Sequence, residues 1–282
     1  MQTPSFVFFG TPDLAVTILD ELKTSGLTPK LIVTAPDRRS GRGMKVTPPP
    51  VKIWADEHHV PTLQPEKLDE QFVAKLKEDE WDVFVVFAYS AILKPEVFTI
   101  PKYGSINLHP SLLPKLRGPS PIVSAILTDQ KETGVSVIRI DGRMDHGPIL
   151  AQEAVTPTTW PPYVSDLEAQ LVHVGGKLLA DVLVKLPKGE IEPQEQEHGE
   201  ASFCHMLQKE DGRIDLADDP YRNLLKIRAY ANWPGAYFFT EKNRRAIRVK
   251  VVSAHIENTK LILDEVIPEG KKRMSYEDFF AS

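Results

Sequence analysis

The chain has 282 residues, 41% hydrophobic and 26% charged, with a formal net charge of −5. That length suits one large and one small domain, and the composition is that of a globular protein, not a disordered or fibrous one. A modest negative charge argues against indiscriminate nucleic-acid binding but allows local basic patches. The one cysteine, Cys204, excludes an internal disulfide and suits a reducing compartment. The start, MQTPSFVFFGTP, lacks the basic residues and long apolar run of a secretion signal. No stretch reaches the roughly 20 apolar residues of a membrane-spanning helix, so a cytoplasmic protein without a membrane partner is expected.

Phe6–Phe9 predicts a buried strand, and Leu14, Ile18, Leu19 and Leu22 follow at helical spacing. Residues 31–35 predict a second strand, 36–50 a loop rich in Gly, Arg and Pro, and 51–58 a short helix. His58-His59 reads as the exposed end of that helix, and no metal site is visible. Residues 67–78 predict another helix. The run VFVVF at 83–87 predicts a central strand whose unbroken apolar character implies burial on both faces, as in a parallel sheet. Residues 105–108, 135–140 and Ile149–Val155 add strands. This alternation predicts an α/β fold with a doubly wound, mostly parallel sheet whose ligands sit beyond the carboxyl ends of strands.

A helix over 164–186 is interrupted by Gly175-Gly176, either as a kink or as a point of close packing. The polar stretch LPKGEIEPQEQEHGEA at 187–202 closes a first domain at 1–202, and 203–282 forms a second. Asp219-Pro220 predicts a helix start, with the helix running to about residue 231. After Trp233-Pro234-Gly235 three β stretches follow, at 236–240, 246–254 and 261–266.

Two segments carry the chemistry. GSINLHPSLLPKLRGPSP at 104–121 sets Asn107 and His109 two residues apart where a strand meets a Pro-rich loop. Alternate side chains of an extended segment share a side, and Pro110 holds His109 extended. GVSVIRIDGRMDHGPIL at 134–150 delivers Asp145 in a Gly-flanked turn. An amide, an imidazole and a carboxylate together suit acyl transfer to an amine. Such a reaction builds negative charge on oxygen, and each fixed donor there is worth about 3 kcal/mol. The carboxylate can relay the proton that the amine must lose. Taken singly, each of the three residues could merely satisfy loop backbone; within NLHPSLLP and D-G-x-x-D-x-G they point to catalysis.

Basic residues gather twice. Arg38, Arg39, Arg42, Lys45 and Lys52 occupy 38–52 with no acidic residue among them. A longer stretch, 242–273, is rich in Lys and Arg, and within it AIRVKVV alternates apolar Ile247, Val249 and Val251 with Arg248 and Lys250.

Across FFGTPDLAVTILDEL at 8–22, TAPDRRSGRG at 34–43, NLHPSLLPKLRGPSPI at 107–122 and ETGVSVIRIDGRMDHGPIL at 132–150, the chain resembles the formyltransferase family that uses 10-formyltetrahydrofolate. IRAYANWPGAY at 227–237 and PEGKKRMSYEDF at 268–279 extend the resemblance over nearly the whole length. Within the family it is most similar to the members that act on initiator methionyl-tRNA. The resemblance implies a Rossmann-like catalytic domain followed by a barrel of the OB type. Five strands make such a barrel and only about three are visible here, so a shortened OB-like β-barrel is expected.

The resemblance also implies roles. Asn107 and His109 would polarise the formyl carbonyl and stabilise its oxyanion, while Asp145 would orient His109 and assist proton removal. The folate donor would be held by Phe87, Ala88, Tyr89, Ile92 and Leu93, by Ser111, Leu112, Leu113 and Pro114, and by Asp141 and Gly142. The acceptor would meet Gly10, Thr11 and Pro12 and a loop carrying Arg38, Arg39, Gly41 and Arg42, whose arginines would contact phosphates and stack on splayed bases. Gly10-Thr11-Pro12-Asp13 makes a poor phosphate nest, which argues against glycinamide ribonucleotide as acceptor. An amino-sugar nucleotide remains an alternative acceptor, and a folate- or RNA-binding protein without turnover a third reading. No metal is implied, and a monomer is expected.

Overall fold

A computed structural model describes residues 3–40, 45–242 and 245–281. It divides into two compact units. The first comprises Met1–Arg117, Gly134–Val155 and Gln170–Ser202, the second Gly118–Thr133, Thr156–Ala169 and Phe203–Ser282.

The first unit is built on a seven-stranded sheet. Its elements begin with β1 (Phe6–Phe9), α1 (Asp13–Thr24), β2 (Leu31–Val33), a hairpin of β3 (Arg38–Ser40) and β4 (Lys45–Thr47), and α2 (Pro50–Glu57). There follow β5 (Thr62–Leu63), α3 (Glu70–Leu76), β6 (Val83–Val86), α4 (Pro95–Phe98) and β7 (Ser105–His109). After α5 (Pro121–Leu127), which belongs to the second unit, come β8 (Thr133–Arg139), β9 (Ile149–Val155) and α6 (Val164–Lys185), the last counted with the first unit from Gln170 onward. The strand order is β5-β2-β1-β6-β7-β8-β9. β5, β2, β1, β6 and β7 run parallel, and β8 turns antiparallel to β7.

Apolar continuity explains the centre of this sheet. Every residue of β1 and β6 is buried, as strands covered on both faces require. Ala15, Ile18, Leu19 and Leu22 of α1 are buried at the spacing that puts one helix face on a sheet. Burying each of these leucine and isoleucine side chains contributes roughly 1.5–3 kcal/mol.

Two local expectations change in this unit. The loop expected over 36–50 contains the β3–β4 hairpin, with Arg38 opposite Thr47 and Arg39 opposite Val46. α6 runs unbroken for 22 residues through Gly175-Gly176. A Cβ on Gly175 would lie 3.1 Å from Leu108, and one on Gly176 2.4 Å from the Cβ of Glu21. The two glycines therefore serve close packing, not a kink.

The second unit holds α7 (Pro220–Ala229), capped by the Asp219 carboxylate accepting from the Arg222 amide, and a four-stranded antiparallel sheet. Its strands are β10 (Tyr237–Lys242), β11 (Arg245–Glu257), β12 (Lys260–Pro268) and β13 (Met274–Ser275), followed by α8 (Tyr276–Ala281). The sheet thus has four strands where three were visible in sequence; two-residue β13 is too short to show an alternation. Val249 and Val251 point into the core with Phe238, Leu263 and Val266, as the apolar face of AIRVKVV predicts, while Arg248 lies over the Tyr237 ring at 3.7 Å.

Candidate active site

The order of the parallel strands sets where a site can form. From β1 the chain moves to one side through β2 and β5, then to the other through β6 and β7. The loops leaving β1 and β6 flank this switch, the usual ligand crevice of an open α/β sheet. Gly10 ends β1, and a Cβ there would sit 2.6 Å from the Phe8 ring and 2.9 Å from the Phe87 carbonyl. Only glycine lets the two loops pass so closely. Next to it the Thr11 hydroxyl is buried without a hydrogen-bond partner, while Pro12 is exposed.

In the loop after β6, Phe87 and Leu93 are buried, Tyr89 is half-buried against Phe9, and Ala88 and Ile92 are exposed. Burial pushes the Tyr89 hydroxyl above its ordinary pKa. Ile92 is 79% exposed, an apolar side chain presented beside the switch.

β7 carries the polar centre. Its register with β6 puts Asn107 beside Val86, and its pairing with β8 puts His109 opposite Ser136. The structure brings Asn107, His109 and Asp145 together. Asn107 Nδ2 donates to Asp145 Oδ1 over a long 3.4 Å, and His109 Nδ1 lies 3.7 Å from Asp145 Oδ2. His109 Nε2 lies 2.9 Å from the Leu116 carbonyl oxygen. A carbonyl can only accept, so Nε2 carries a hydrogen and Nδ1 is the ring nitrogen that faces Asp145. Sequence reasoning assigned His109 one partner, Asp145; the structure shows two.

The segment after His109 is fixed by a buried hydroxyl. Ser136 Oγ donates to the Ser111 carbonyl at 2.6 Å and accepts from the Leu113 amide at 3.1 Å and from Gln152 Nε2 at 2.7 Å. Gln152 Nε2 also bonds the Leu113 carbonyl at 3.0 Å. Ser111 and Leu113 are buried, and Leu112 and Pro114 half-buried. Ser111 Oγ closes the loop onto the Lys115 carbonyl at 2.6 Å.

Asp141 and Gly142 open the turn that carries Asp145. The Asp141 carboxylate accepts from the Arg143 amide at 2.9 Å and from His146 Nδ1 at 2.6 Å. Burial would raise the Asp141 carboxyl, but these two bonds and the charges behind them outweigh it and hold the pKa below the ordinary value. The His146 ring stacks on His198 with centroids 4.0 Å apart.

Two residues of this neighbourhood have no role assigned from the sequence, although Arg117 lies within NLHPSLLPKLRGPSPI. Arg117 and Gln196, only 4% and 5% exposed, bond each other through Arg117 Nη2 and Gln196 Oε1 at 2.6 Å. Gln196 Nε2 donates to the carbonyls of Asp145 at 3.0 Å and Gly147 at 2.7 Å. Backbone strain gathers at the same place. Ala88, Leu116 and Asp145 have φ of +50°, +59° and +49°, a left-handed geometry that costs a non-glycine residue about 1–3 kcal/mol and persists where surrounding contacts enforce it.

Arg38 and Arg39 are exposed on the β3–β4 hairpin, and Gly41 and Arg42 lie outside the described residues. Among the described residues no group of three His, Cys, Asp or Glu side chains is placed to hold a metal ion, and no helix is long and apolar enough to cross a membrane.

Comparison with known proteins agrees with this architecture. A formyl transferase family model matches residues 5–183, and a formyl transferase C-terminal domain model matches 206–262. A methionyl-tRNA formyltransferase of Chloroflexus aurantiacus is 44% identical over 252 residues, covering 88% of this chain and 80% of that protein. One from Thermus thermophilus is 37% identical over 297 residues, covering 96% and 94%. Among solved structures, an N-formyltransferase of Helicobacter canadensis in complex with folinic acid and dTDP-3-aminofucose superposes with a TM-score of 0.68 at 17% identity, covering 96% of this chain and 98% of that one. A methionyl-tRNA formyltransferase of Clostridium thermocellum superposes with a TM-score of 0.60 at 19% identity, covering 94% and 98%. At those identities the two structures bear on the fold alone.

Proposed function

The chain belongs to the formyl transferase family, and on that premise we propose that it transfers the formyl group of 10-formyltetrahydrofolate to the amino group of methionyl-initiator tRNA. The observation that carries this reading is the convergence of Asn107, His109 and Asp145 at the end of β7, in a chain 33% to 44% identical over most of its length to relatives named methionyl-tRNA formyltransferase.

The donor supplies an electrophilic formyl carbon on a nitrogen leaving group. Exposed Ile92 and half-buried Tyr89 offer its ring apolar contact, with Phe87, Ala88 and Leu93 shaping that loop. Backbone groups of Ser111, Leu112, Leu113 and Pro114 and the Asp141-Gly142 turn offer polar edges. The amine nitrogen attacks the formyl carbon, the C–N bond to the folate nitrogen breaks, and the proton lost by the amine replaces the formyl group there. Asn107 Nδ2 has a second hydrogen beyond the one it shares with Asp145, free to meet the developing oxyanion. His109, protonated at Nδ1, is the second donor. Asp145 takes the amine's proton directly or through water. Each donor is worth about 10²–10³ in rate.

Exposed Arg38 and Arg39 on their hairpin, together with Arg42, give the acceptor stem cationic contacts, and Gly10, Thr11 and Pro12 border the crevice where the methionyl end would arrive. A substrate of translation fits a cytoplasmic protein. All three reacting groups come from one chain, so a monomer suffices.

The test is turnover with 10-formyltetrahydrofolate on charged initiator tRNA and, separately, on a panel of amino-sugar nucleotides. Formylation of the tRNA alone is expected. Formylation only of a sugar nucleotide would keep the chemistry and replace the acceptor, and no turnover on either would favour a binding protein.

A further inference from the structure

We propose that Arg117 and Gln196 form a buried clamp that positions Asp145 against His109 for the transfer step. The inference rests on the reading of Asp145 as a participant in that step.

The clamp joins the two loops that meet at the centre. Leu116 presents its carbonyl to His109 Nε2 from a left-handed backbone, and the next residue, Arg117, turns into the protein. Its guanidinium gives Gln196 Oε1 two hydrogen bonds, from Nε at 3.2 Å and Nη2 at 2.6 Å, and Nη2 reaches His198 Nδ1 at 2.9 Å. The two hydrogens of the Gln196 amide go to the Asp145 and Gly147 carbonyls. Every donor and acceptor of this amide is therefore engaged, half on the arginine and half on the turn. Hydrogen bonds in such a chain polarise one another, so the guanidinium charge strengthens the grip on the turn.

Segment 194–202 is itself held at both ends. Gln194 exchanges backbone hydrogen bonds with Ile149 at 2.7 and 2.8 Å, and Ser202 bonds the Leu116 amide through Oγ at 2.9 Å. It thus ties the start of β9 to the loop that fixes His109. Asp145 is strained at φ +49°, and no side chain can be added at Gly147, where a Cβ would fall 1.8 Å from the Arg139 carbonyl oxygen. The two bonds from Gln196 hold that strained residue's own carbonyl and the carbonyl two residues on. A shift of about 1 Å in a positioned catalytic group can cost about 10²-fold in rate.

The test is a double-mutant cycle on the full chain. Gln196→Glu keeps an acceptor for Arg117 but replaces the one nitrogen that donates twice by an acceptor oxygen facing two carbonyls. It should lower kcat on methionyl-tRNA by about 10- to 100-fold, with KM for donor and tRNA changed by less than about threefold. Asp145→Asn should itself lose about 10²-fold or more. If Gln196 acts through Asp145, the double variant is no slower than Asp145→Asn alone, since residues acting as a unit are non-additive. Losses that multiply, or a Gln196→Glu enzyme at the wild-type rate, would overturn the clamp while leaving the reading of the centre intact. Asp145→Asn at the wild-type rate would overturn that reading first, and the clamp with it. Should Gln196→Glu not fold, Arg117→Lys carries the same cycle, with a loss of about 3- to 10-fold from one surrendered donor and a looser fork.

Discussion

Ser136→Ala removes one oxygen and strands the groups around it. Ser136 is fully buried, its hydroxyl donates to the Ser111 carbonyl, and it accepts from the Leu113 amide and Gln152. Ser111 and Leu113 are 1% and 3% exposed, so water cannot replace the lost partner. Gln152 keeps its bond to the Leu113 carbonyl, which leaves two backbone groups unpaired. At about 1–3 kcal/mol for each buried unsatisfied group, the first unit should lose about 2–6 kcal/mol. With a urea m-value near 2–3 kcal/mol/M, the midpoint should fall by about 1–3 M at unchanged slope. Thr47→Ala, which removes an exposed hydroxyl bonded to the Lys45 carbonyl two residues away, is the control and should move stability by less than about 0.5 kcal/mol. A Ser136→Ala midpoint indistinguishable from that control would show that the hydroxyl does not hold the loop.

Three further outcomes follow from the same geometry. Gly176→Ala should cost about 1–3 kcal/mol in denaturant unfolding, because the new Cβ falls 2.4 Å from that of Glu21, whereas Gly199→Ala meets nothing within 4 Å and should be near neutral. The Asp141 carboxyl titrates below its unfolded value, so its bonds stabilise the 141–147 turn above that value and are lost as pH falls through the lowered one. The Arg143 amide resonance should report this acid limb and lose it in Asp141→Asn; the same limb in the variant would refute the assignment. Replacing Arg38 and Arg39 together by alanine should reduce the slope of log KM for methionyl-tRNA against log salt by about one for each phosphate the pair neutralises, and an unchanged slope would remove the hairpin from tRNA binding.

Much of the fold could be read from the chain because burial and pattern coincide. VFVV and FVFF are apolar at every position and lie at the sheet centre. The alternation that puts Asn107 and His109 in one space follows from extended backbone before Pro110. What escaped depends on partners far away in sequence. Arg117 and Gln196 are 79 residues apart, and Gln196 sits in a tract, EPQEQEHGE, whose other residues are exposed. A lone arginine between Leu116 and Gly118 is the only hint of a buried charge. The β3–β4 hairpin has no apolar alternation to announce it, and Gly175-Gly176 shows its purpose only with Leu108 and Glu21 in view.

The most direct test of the account is the single-turnover rate of formyl transfer from 10-formyltetrahydrofolate to bound methionyl-initiator tRNA in the wild-type protein and in Asp145→Asn. The account predicts rapid transfer by the wild type and a loss of about 10²-fold or more in the variant, with tRNA affinity unchanged. A variant as fast as the wild type, or a wild type that binds both substrates and transfers nothing, would contradict it.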